Sequence, residues 1–105
     1  MSAVVVALST VGKPDDADRI ARALVERRLA ACVNIVPGAI SVYSWKGAVE
    51  TEAELLLVIK TRQDKLEDLR KALVEMHPYE VPELVAMDVV AGHPPYLQWV
   101  RDSVG

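Results

Sequence analysis

The segment His77-Pro78-Tyr79-Glu80 packs more potential chemistry into four positions than any other part of this 105-residue chain. An imidazole near a carboxylate can hold a metal ion or form an acid/base pair. The same residues also describe a helix stop, in which Pro78 breaks the helix and His77 faces its last carbonyls. Cys32, the one cysteine, is the softest donor present and would suit Cu(I); its other reading is a small inert side chain inside a strand. Met76 precedes His77, and a thioether beside an imidazole would also suit Cu(I). Yet Met76 continues the stripe Leu66, Leu69, Leu73, so core packing accounts for it. Glu50, Glu52 and Glu54 alternate, which on a strand places them on one face, as a solvated or interface rim. His93, in Gly-His-Pro-Pro, reads as a solvated loop residue. Trp45 reads as an interface anchor and Trp99 as the core contact of a last helix. The sequence contains no glycine-rich phosphate loop, His-Glu-x-x-His, Cys-x-x-Cys or nucleophile elbow, so the expectation is a protein that is not an enzyme.

Composition sets the frame for those residues. One domain spanning 1–105 is expected, large enough for a core and too small for two. The chain is 51% hydrophobic and 26% charged, the balance of a folded globular protein rather than a disordered one. A net charge of −3, with no Lys/Arg run, lacks the electrostatic footprint of nucleic-acid binding. A single cysteine suits a reducing compartment. No apolar stretch approaches the roughly 20 residues of a membrane span, and the N-terminus has no basic leader region. The expected location is cytoplasmic.

The elements that must position the candidate residues alternate in order. Val4–Thr10 is an apolar, β-branched run and reads as a buried strand. Pro14 suits the first turn of a helix running to about Arg28, with Ala17, Ile20, Ala21 and Leu24 on one face. A second strand over Ala31–Tyr43 bends at Pro37–Gly38, where proline argues for a bulge or edge. Ser44–Gly47 turns the chain into a third strand, Glu50–Thr61. Asp64, with Glu67 three positions on, predicts the start of a second helix that Pro78 ends. Pro82–Val90 reads as a fourth strand, the Gly92–Pro95 stretch as a loop, and Tyr96–Val104 as a short terminal helix. The order is βαββαβ, an α+β sandwich of ferredoxin-like type with a long hairpin between strands two and three.

That order places both main helices on one face of the sheet, so the other face must be polar or covered. Here the first, third and fourth strands are apolar on successive positions. A helix of roughly 15 residues spans about 22 Å, whereas a strand of roughly 13 residues spans about 43 Å. The hairpin tip with Tyr43 and Trp45 therefore overhangs, and a sticky overhang predicts association with further copies.

LAACVNIVPGAISVYSWKG at 29–47, ELLLVIKT at 54–61, HPYEVPELVA at 77–86 and YLQW at 96–99 together resemble the CutA family of divalent-cation-tolerance proteins, over essentially the whole chain. The resemblance implies a tight homotrimer, sheets inward and helices outward, with the architecture of the PII-type signalling proteins. It implies copper or other divalent-cation tolerance as the biological role, with no cofactor required for folding. Ligand positions proposed for some bacterial members fall on Ser9, Met76 and His77. Only His77 is an unambiguous donor in that set, so His77, with Cys32, is expected to hold a metal weakly. The resemblance also places His77–Glu80 in a cleft between subunits, and Tyr43, Trp45, Lys46, Glu50, Lys60, Tyr79 and Glu80 are the residues expected to line it. The alternative role is a PII-like sensor or scaffold that takes a small anionic molecule, or a partner protein, in those clefts.

Overall fold

The computed structural model describes residues 3–105. The strands are β1 (Val4–Val11), β2 (Cys32–Trp45), β3 (Ala48–Arg62) and β4 (Val85–Asp88), and the helices are α1 (Pro14–Glu26), α2 (Leu66–Met76) and α3 (Pro94–Ser103). They form one antiparallel sheet in the order β2-β3-β1-β4, the α+β, ferredoxin-like arrangement read from the element order.

Alternation along the strands sorts the sheet into two faces. Ala7, Val11, Leu57 and Ile59 point to the helix side, where they meet Ile20 and Leu24 of α1 and Leu69 and Leu73 of α2 in the main core. On the opposite side lie Val6 and Leu8 of β1, Leu56 and Val58 of β3, Val36 of β2, and Val85 and Met87 of β4, as the register requires. None of these belongs to either core cluster. The C-terminal helix seals one end of this open face, with Val100 and Val104 against Val4 and Ala31, and goes no further. Val85 and Met87 stay half exposed.

Several boundaries differ from the sequence reading, each for a local reason. α1 stops at Glu26 rather than Arg28. Arg28 adopts φ 58°, the Leu29 N–H donates back to the Leu24 carbonyl and the Arg28 N–H to that of Val25. This is a Schellman end, with Leu24 and Leu29 both in the core and arginine where glycine is usual. Ahead of α2, Gln63–Lys65 forms a 3-10 turn, so Asp64 lies inside that turn and receives Arg62. The fourth strand shrinks to four residues, and α3 begins at Pro94, as proline in a first helical turn allows. Trp99 is not a core residue: it is 48% exposed and stacks on Tyr96 at 5.7 Å between ring centres.

The hairpin follows the sequence closely. One extra residue enters β2 between Val36 and Ala39, at the Pro37–Gly38 bend. Lys46 and Gly47, with φ 50° and 81°, close a two-residue turn of the kind that matches strand twist. β1 pairs with β3 only from Leu55 to Arg62, so the hairpin runs on alone as an arm, and the molecule measures 44 Å along its longest axis.

Ser9 is fully buried in this core and its hydroxyl has no hydrogen-bond partner among the described residues. An unmet buried hydroxyl costs about 1–3 kcal/mol. Ser9→Ala is therefore expected to raise stability by about 1 kcal/mol in urea denaturation; an equal loss would show that the hydroxyl is satisfied.

Candidate functional site

His77 follows the last residue of α2 and turns back into the protein, where it is only 7% exposed. Its Nε2 lies 2.8 Å from the Thr10 carbonyl of β1, and its Nδ1 accepts the Tyr79 backbone N–H at 3.1 Å. A carbonyl only accepts, so Nε2 carries the proton and donates it. Both ring nitrogens are thereby engaged within the chain, and the one in-plane lone pair, on Nδ1, is taken up by the Tyr79 N–H. The expected ligand is a brace between α2, β1 and the loop that follows.

Tyr79 continues the brace. Its ring packs on His77 at 4.6 Å, and its hydroxyl donates to Glu54 Oε2 at 2.6 Å. Glu54 sits just past the end of β1 pairing and is itself 6% exposed. The approach depends on Gly12, where a Cβ would lie 3.1 Å from the Tyr79 hydroxyl. Burial first, then the bonded Glu54 carboxylate, pushes the Tyr79 phenol well above its ordinary value. The Tyr43 phenol is also raised, by loss of water contact and then by Glu52, with Glu50 and Glu54 adding to it.

Held there, residues 79–83 and the hairpin arm enclose a cleft of ≈ 840 Å³. Of the seven residues named from the sequence, Tyr43, Trp45, Glu50, Tyr79 and Glu80 line it within the single chain. Lys46 and Lys60 do not. The Lys46 ammonium lies 5.6 Å from the Trp45 ring centre, and Lys60 sits opposite Cys32 at the far end of the hairpin, hydrogen-bonded to Asn34. In their place the cleft carries Glu52, Glu54 and Glu83. Register explains the first two: Tyr43 faces Glu50, Ser41 faces Glu52 and Ala39 faces Glu54, so alternation puts all of them on one side of the arm. Among the described residues, no Lys, Arg or His side chain lines the cleft. A wall of carboxylates attracts cations and repels anions.

Cys32 does not join His77. It lies on the open face opposite Lys60, in register with Val6, while His77 grips Thr10 four residues further along β1, about 13 Å away by strand rise alone. Among the described residues no three His, Cys, Asp or Glu side chains converge as a ready metal cage. Met76 is partly buried against the main core, and His93 is exposed.

The Tyr79–Glu54 bond has two testable consequences. Tyr79→Phe leaves a buried carboxylate short of a donor and is expected to cost about 1–3 kcal/mol, with Gly12→Ala costing a lesser part of the same amount. The unfolded phenol ionises near pH 10 and the folded one higher, so unfolding releases a proton between those values. Stability therefore falls as pH rises above about 10, and Tyr79→Phe flattens that fall in urea titrations at about pH 9–11.

The chain matches the sequence pattern of the CutA1 divalent ion tolerance protein family over residues 5–103. A CutA homolog from Xenopus laevis is 50% identical over 93 residues, covering 87% of this chain and 62% of its own length, so the chain spans less than two thirds of that relative. A solved divalent cation tolerance protein from Thermus thermophilus superposes with a TM-score of 0.95 at 47% identity, covering 97% of this chain and 99% of its own. A structure described as the PII-like protein CutA, from Nostoc sp. PCC 7120, has a TM-score of 0.90 at 40% identity, over 96% and 97% of the two chains. No helix among the described residues is long and apolar enough to cross a membrane. On that similarity of sequence and fold, the chain belongs to the CutA1 divalent ion tolerance family.

Proposed function

We propose that the protein works as a homotrimer that binds divalent cations weakly in its acidic clefts and catalyses nothing. The observation that carries this reading is the lining of the cleft, where Glu50, Glu52, Glu54, Glu80 and Glu83 meet without a countercharge among the described residues. Oxygen donors of this kind favour hard cations such as Mg²⁺ and Mn²⁺ over soft Cu(I). Because the carboxylates line a broad cleft rather than a cage, affinity in the millimolar range is expected.

Assembly is the other half of the reading. Val58, Leu8, Val85 and Met87 form an apolar sheet face that α3 covers only at its end, and further copies are the cover the family resemblance supplies. That resemblance also supplies the number three. A PII-like sensor role, suggested by the name of the Nostoc relative, is compatible with this assembly. A small anion as its ligand is disfavoured by the charge of the cleft.

Titration calorimetry with Mn²⁺ tests the cleft. Glu50→Gln with Glu52→Gln is expected to weaken binding at least tenfold, and Cys32→Ser to leave it unchanged. Specific Cu(I) uptake lost in Cys32→Ser, with no Mn²⁺ binding, would overturn the cleft assignment. Val58→Asp tests the face: a carboxylate buried without a partner costs about 3 kcal/mol or more, and the variant is expected to elute as dissociated, destabilised chains. A trimer of unchanged melting temperature would contradict it.

A further inference from the structure

We draw no further inference here: the strongest candidate, the side-chain cluster on the open sheet face where the Cys32 thiol and the Lys60 ammonium both meet Asn34 Oδ1, lies on the surface that the proposed assembly gives to sister copies, and nothing in the structure shows what covers it there.

Discussion

A four-stranded sheet with its two main helices on one side is the constraint from which the other features follow. Hydrophobic burial is satisfied on the helix face, where Leu57, Ile59, Ile20, Leu24, Leu69 and Leu73 are wholly enclosed. The other face repeats the same residue types without the same cover. α3 encloses Val4 with Val100 and Val104, but a ten-residue helix reaches only one end of strands this long. What is left is a largely apolar face with Val36, Val85 and Met87 exposed, a surface that soluble monomers rarely carry. The proposed assembly with further copies would remove it from water and so couple folding to concentration.

The same mismatch of lengths creates the cleft. β3 outruns β1, the hairpin projects, and a space opens beside the arm that the loop after α2 partly closes. His77 and Tyr79 fix that loop by successive hydrogen bonds, to the Thr10 carbonyl and to Glu54. The two residues most suggestive of chemistry in the sequence are thus the ones that shape the container. On the proposed reading, the chemistry falls to the carboxylates lining it. An imidazole with both nitrogens committed is a structural element, and a buried phenol raised by its neighbours stays protonated and donates.

Element order, the β2 bulge, the hairpin turn and the helix-facing core were all legible in the sequence, because periodicity and turn chemistry are local. The fate of His77 was not, since its partner Thr10 lies 67 residues away and only the folded chain sets one beside the other. Lys60 stands seven positions beyond Ala53 on the same long β3, so within one chain it and the cleft lie at opposite ends of the strand, a separation that only the register reveals. Glu52 and Glu54 carried a usable signal, their alternation with Glu50. Their face was evident; that Tyr79 and Glu83 would come to confront it was not. Trp99 shows the limit of composition, since a large aromatic on a short helix reads as core whether or not the sheet beneath it reaches that far.

Sedimentation equilibrium of the unmodified chain at micromolar concentration tests the central claim most directly. The uncovered sheet face predicts an assembly without a folded monomer even at the lowest concentration in the series, and the family resemblance sets its size at three chains. A well-folded species of one chain, stable on dilution, would show that this face tolerates water and that the protein needs no partner copies.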